Sequence, residues 1–172
     1  MEQFKTPSVS TDVSKPVLSP KAVFASYLFA IKNSLGSSMF QEFYLEDEKG
    51  ELFDALKGGD VSCGNFVSWI LFRFQYIKQP HLTVKGIEKD LLASGWTIVE
   101  EAKDGDVIVW APSRDHDPDT MHTHIGFSIG GDQAISNSTK LRHPNQHHLT
   151  FGTQEDGTPT RVITAIYQKP TA

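Results

Sequence analysis

The sequence predicts an α+β fold, N-terminal helices packed on an antiparallel β-sheet. In its first half the large apolar residues recur at three- and four-residue steps, the period of one helix face, and beyond Gly95 they alternate, the period of a strand. Helical segments come first and strand segments follow with no helices between them, which suits an antiparallel meander rather than a parallel βαβ sheet. At 172 residues, with 38% hydrophobic and 22% charged side chains, the chain can fill one core and not two.

Residues 1–20 are rich in Ser, Thr, Pro and Lys and poor in large apolar side chains, so they cannot offset the entropy of ordering and are expected to form a flexible arm. Residues 21–172 are expected to form a single domain. Ser19 and Pro20 read as a helix start, and Val23, Phe24, Tyr27, Leu28 and Ile31 make an amphipathic stripe ending near Asn33 to Gly36. Phe43 to Glu46 and Glu51 to Asp54, separated by Asp47 to Gly50, predict a short hairpin. Asp60 and Ser62 are suitable N-caps for a helix whose stripe is Phe66, Val67, Ile70, Leu71 and Phe74. Arg73 and Lys78 would lie on its solvated side. Pro80 closes that segment, and Val84, Ile87, Leu91 and Leu92 predict another helix over 83–94 with Gly95 as its stop. Strands are predicted at 96–99, 106–110, 124–129, 133–138 and 161–167, several of them separated by glycine-containing turns.

Charge and composition narrow the function. A formal charge of −5 and a pI near 5.8, with no basic groove in view, argue against a nucleic-acid partner. A single cysteine rules out an intramolecular disulfide. The first residues lack a charged-then-apolar leader and no apolar run reaches membrane-spanning length. The expectation is a cytoplasmic protein without a membrane partner, unless it leaves the cell by lysis, a holin or a specialised secretion route.

Cys63 would open the second helix. There the unpaired backbone N–H groups and the positive end of the helix dipole favour thiolate over thiol, and with a base or cation nearby such settings lower a thiol pKa from about 8.5 to roughly 3.5–7.5. The alternative is a small buried apolar residue. Of seven histidines, six lie between His116 and His148. On the strand carrying His124, Ile125, Phe127 and Ile129 share one face, and His124, Gly126 and Ser128 share the other. Gly126 and Ser128 are small enough to let a helix end approach, so that His124 could serve Cys63 as a base. A base of this kind needs a third group to fix its tautomer. Ser136 and Asn137 on the next strand point to opposite faces, and a one-residue change of register decides between them. Asn137 is chemically the stronger acceptor.

Trp110 ends a strand near the same place and either contacts substrate or packs in the core. His122 shares a face with His124 and is a second candidate for substrate contact. His122 and His124, with Asp115, His116, Asp117 and Asp119 upstream, also compose the alternative of a divalent-metal hydrolase. His143, His147 and His148 fall in a polar stretch expected to be a loop, from which one of them could replace Ser136 or Asn137.

A helix-opening cysteine, then Gly105 to Trp110, then His124, Ile125, Gly126 and Phe127 before a glycine-rich turn, resembles the NlpC/P60 superfamily of papain-like cysteine peptidases over roughly residues 40 to 167. The resemblance implies a papain-like fold with Cys63 as nucleophile, His124 as base and Ser136 as third member. It also implies hydrolysis of a peptide or amide bond, most often in peptidoglycan-derived cell-wall peptides, with no metal or other cofactor. The chain has Ser62 and Gly64 where members commonly carry Asp and Ser, and Ser136 where many carry His. Tyr44 is farther upstream of the cysteine than the tyrosine usual in the family. Two other functions fit the same residues: a catalytically silent fold that binds peptide in its cleft, and an interaction protein that works through residues 1–20.

Overall fold

In the computed structural model, residues 17–113 and 121–170 are described. The arm up to residue 16, and the stretch with Asp115, His116, Asp117 and Asp119 that the metal alternative used, lie outside the described residues.

The described residues form three α-helices and eight strands. Helix α1, Pro20–Asn33, starts as its sequence dictates. The Ser19 hydroxyl accepts from the Ala22 N–H, and Pro20, which has no N–H to satisfy, occupies the first turn. Tyr27 and Ile31 of its stripe are fully buried, Val23 and Leu28 are partly so, and Phe24 is left 40% exposed. The predicted hairpin is present, with β1 (Tyr44–Glu46) antiparallel to β2 (Leu52–Asp54). The Asp54 carboxylate then accepts from the N–H groups of Phe43, Leu56 and Gly58. Those bonds, the one from Phe43 foremost, hold its carboxyl below the ordinary value and shape the turn that feeds the next helix.

That helix is α2, Cys63–Arg73, and α3 is Val84–Ala93. Thr83 caps α3 by accepting from the Gly86 N–H, and Gly95 takes the left-handed backbone (φ 86°) that stops it. Then come β3 (Thr97–Ile98), β4 (Val107–Ser113), β5 (His122–Ser128), β6 (Gln133–Ser138), β7 (His143–His148) and β8 (Ile163–Gln168). They make one six-stranded sheet of order β3-β8-β4-β5-β6-β7, antiparallel throughout.

Strand β7 corrects the loop expected from sequence. His-Pro-Asn-Gln-His-His contains no apolar alternation and includes a proline, yet it pairs with β6 along its whole length, from Gln133 opposite His148 to Ser138 opposite His143. It is the outer strand of the sheet, where a proline's missing N–H costs little, and pairing rather than side-chain pattern defines it.

The two sheet faces have different coverings. Val107, Val109, Ile125, Phe127 and Ile135 face the helices and join Tyr27, Phe66, Leu71, Ile87 and Leu91 in the main core. Ile108, Trp110, Ala134 and Ile166 face the other way and form a smaller cluster closed by Leu149 and Phe151. No described helix is long and apolar enough to cross a membrane.

Candidate functional site

Cys63 is the first residue of α2, and the chain reaches it through Gly58 and Gly59, both at positive φ. Gly59 has no room for a side chain, since a Cβ there would sit 2.7 Å from the Arg142 carbonyl oxygen. Ser62 does not cap the helix as its residue type predicts. Its φ of −93° and ψ of 8° turn the hydroxyl back, and it donates to the Gly59 carbonyl instead. The first-turn N–H groups of α2 therefore have no side-chain cap. Gly64 is also sterically required, because a Cβ would lie 2.7 Å from the Leu82 carbonyl oxygen. The segment before α3 thus packs directly on the opening turn of α2.

The Cys63 side chain is half-buried between α2 and β5. Burial pushes its thiol above the ordinary value, opposed by hydrogen bonds from the N–H groups of Ile125 and Gly64, by the positive charge of Arg161 and by its own N–H. The net direction is opposite to the one the helix N-terminus alone predicts. Desolvation of the sulfur outweighs the local dipoles.

Across the sheet, β5 and β6 pair from Gly126 opposite Ser136 to Ser128 opposite Ala134. This register brings Ser136, and not Asn137, to His124. The His124 Nε2 and Ser136 Oγ are 2.8 Å apart, Ser136 Oγ and His147 Nε2 are 2.8 Å apart, and His147 Nδ1 lies 2.8 Å from the His148 carbonyl oxygen. Asn137 points to the opposite face, where its Nδ2 donates to the Gly59 carbonyl at 2.9 Å and its buried Oδ1 has no partner among the described residues. It ties β6 to the turn before α2 and does not orient His124.

The space left by Gly126 is not filled by a helix end. A Cβ there would lie 2.6 Å from the Ile135 carbonyl oxygen, 2.7 Å from the Ser136 Cβ and 3.1 Å from the Trp110 ring. Trp110 and Ser136 occupy that side, so Gly126 is what lets both approach His124. Gly126→Ala is expected to cost about 1–3 kcal/mol by overpacking, read as a lower midpoint in urea denaturation with the slope unchanged.

Trp110 is fully buried, in the core rather than on the cleft wall. Its Nε1 donates to the Leu149 carbonyl at 2.8 Å and its ring backs His124 at 5.5 Å. Phe151 stacks on His147 with centroids 3.9 Å apart and an interplanar angle of 19°. Burial pushes the His147 imidazole below its ordinary pKa, and the charges of Arg161 and His148 act the same way, against the bond its Nδ1 makes to the His148 carbonyl.

Cys63 and His124 line one open cleft of about 370 Å³. His122, Leu82, Lys57 and Arg161 line it too. Arg161 is held across the end of β4 and the start of β5, Nε on the Ala111 carbonyl at 3.2 Å and Nη2 on the His122 carbonyl at 3.0 Å. Of the four described non-glycine residues in left-handed backbone, three border the site: Lys57 on its wall, Arg142 against Gly58 and Gly59, and Phe151 under His147. Residues held in such strained conformations cluster at functional sites. Among the described residues, no group of three or more His, Cys, Asp or Glu side chains is placed to hold a metal ion.

Sequence reasoning named Cys63, His124, Ser136 and His122, all of which are at or beside the cleft. It did not assign His147 to Ser136, nor see Arg161 and Phe151. His147 could be placed only by knowing that its stretch pairs with β6. No protein-family model matches the chain, and no curated protein matches it at a significant level.

Proposed function

We propose that the protein is a thiol hydrolase that cleaves a peptide or amide bond, working in the manner of the NlpC/P60 peptidases and on a papain-like variant of the α+β fold. The observation that carries this reading is the position of the sulfur. Cys63 heads α2 and packs against the core cluster that includes Ile125, the residue that follows His124, and Cys63 and His124 line the same cleft.

In this reading His124 Nδ1 takes the thiol proton as Sγ attacks the scissile carbonyl carbon. The carbonyl π electrons move onto oxygen, and the uncapped Cys63 N–H at the head of α2 donates to that oxyanion. Collapse breaks the C–N bond, the imidazolium returns its proton to the leaving amine, and a thioester remains. Water, deprotonated by His124, then attacks the thioester, releasing the carboxylic acid and restoring the thiol. Because burial disfavours the free thiolate, attack depends on proton transfer to His124 rather than on a standing thiolate.

The departures from the family pattern have local causes. Gly64 replaces the usual serine because the Leu82 carbonyl leaves no room for a Cβ. Ser136 replaces the usual histidine with a second histidine, His147, behind it. Cell-wall peptide is the substrate that the resemblance favours. The test is incubation with a muropeptide mixture and mass spectrometry for hydrolysed amide bonds, before and after stoichiometric alkylation of Cys63 by iodoacetamide. Hydrolysis that alkylation abolishes and a chelator spares is expected; hydrolysis that survives complete alkylation would end the proposal.

A further inference from the structure

We infer that His147 is a positioning residue, which acts through Ser136 to hold His124 in the tautomer whose Nδ1 carries the lone pair. Its catalytic use rests on the hydrolase reading above; the tautomer itself does not.

A serine hydroxyl is an ambiguous partner for an imidazole, since it can accept from a ring N–H or donate to a ring nitrogen. Alone beside His124 it would leave either tautomer possible. The bonds beyond it remove the ambiguity. The His148 carbonyl oxygen can only accept, so the 2.8 Å contact from His147 Nδ1 requires a proton on that nitrogen. In neutral His147 the proton on Nδ1 leaves Nε2 as an acceptor. The one hydrogen of Ser136 therefore goes to His147 Nε2, across 2.8 Å, and a Ser136 lone pair faces His124. His124 Nε2 must then be the donor at 2.8 Å, so the second nitrogen of neutral His124, Nδ1, is the basic one.

The surroundings keep His147 neutral, as this chain of donors requires. His147 is set between Phe151, stacked on it, and Trp110, with centroids 5.6 Å apart. Among the described residues, the titratable and charged groups around it are His124 through Ser136, the neighbouring His148, and Arg161, whose charge, like burial, opposes protonation. A protonated His147 would donate from Nε2 to Ser136, reverse the serine hydrogen and turn His124 to the other tautomer. The usual third group of a thiol triad is thus divided here between two side chains: Ser136 touches His124, and His147 decides which way Ser136 points.

The test combines ring-nitrogen NMR of His124 with the rate of Cys63 alkylation by iodoacetamide near neutral pH. Wild-type protein is expected to show His124 protonated at Nε2. His147→Phe, which keeps a ring against Phe151 but removes the acceptor, is expected to populate both tautomers and slow alkylation by about 10-fold to 100-fold. His147→Gln, whose side-chain oxygen can accept from Ser136, is expected to restore most of the rate. The double variant Ser136→Ala, His147→Phe should be no slower than Ser136→Ala alone, because both lesions break the same relay. Protonation of wild-type His124 at Nδ1, a His147→Phe protein with His124 still wholly Nε2-protonated, or multiplying losses in the double variant would overturn the inference. If His147→Phe does not fold, the wild-type tautomer and the Ser136→Ala rate decide. A shifted tautomer in a wild-type protein that hydrolyses no amide would leave the positioning role intact and remove only its catalytic use.

Discussion

Cys63→Ala is expected to lower kcat/KM on any hydrolysed amide by about 10⁴-fold or more, with a melting temperature within a few degrees of wild type. Alanine keeps a small side chain in the half-buried place at the head of α2. His124→Ala is expected to be nearly as inactive at neutral pH but to differ in its pH profile. Burial raises the Cys63 thiol pKa, so the neutral thiol is favoured and, without a base, little thiolate exists near pH 7. The sign is fixed: as pH rises through that raised value the thiolate forms without help. Alkylation and turnover of His124→Ala should therefore climb steeply toward alkaline pH, while wild type, with a base beside the thiol, should depend less steeply on pH over the same span. Cys63→Ala should remain inactive throughout. A pH series from about 6 to 10 with iodoacetamide and with a cleaved muropeptide separates the variants. A flat His124→Ala profile equal to wild type would mean that His124 is not the base.

The fold was legible where one local signal had one structural reading. Ser19 before Pro20 and Gly95 after the last turn of α3 each mark a helix end, where backbone groups are left open. Strands β4, β5, β6 and β8 carry apolar residues between turn signals because both faces of the sheet are covered; the β1–β2 hairpin is exposed along nearly all its length and is marked by its turn, where Asp47 and Gly50 bond. Legibility failed where tertiary pairing decides. Strand β7 carries no apolar alternation, so nothing in its residues announces a strand, and with it His147 was lost as the partner of Ser136. The choice between Ser136 and Asn137 turned on the pairing of Gly126 with Ser136, which no side-chain property encodes. Ser62 has the right residue type for a cap but the wrong backbone angles, because the turn through Gly58 and Gly59 takes its hydroxyl back to the Gly59 carbonyl. The direction of the Cys63 pKa is open in the sequence for a related reason: helix position is a sequence property, but burial against β5 is not.

Asp90→Ala is expected to have the largest effect on stability, and the effect reaches the site. Asp90 is 7% exposed, and its carboxylate accepts from the N–H groups of Lys78 and Gln79, from the Ser94 hydroxyl at 3.0 Å and from His81 Nε2 at 2.8 Å. Those bonds hold residues 78–81, and through them Leu82, whose carbonyl packs on Gly64 beside Cys63. Alanine would leave part-buried donors without their acceptor, at a cost of about 1–3 kcal/mol, or roughly 2–12 °C in Tm for a chain of this length. Burial alone would raise the Asp90 pKa, but the bonds from His81, Lys78, Ser94 and Gln79 outweigh it and hold the carboxyl below the ordinary value. The contribution from a depressed carboxyl pKa is present above the unfolded value, about pH 4, and is lost as pH falls through the lower folded value. Wild type and Asp90→Ala should therefore differ most at neutral pH and converge under acid. Urea denaturation of both proteins at about pH 7 and about pH 3 measures this, and a stability gap that stays constant between the two would show that the ionised carboxylate is not what secures the segment over the α2 N-terminus. If the gap closes as expected, neutral-pH alkylation of Cys63 in folded Asp90→Ala should also change, because the Leu82 carbonyl no longer has a fixed seat against the first turn of α2.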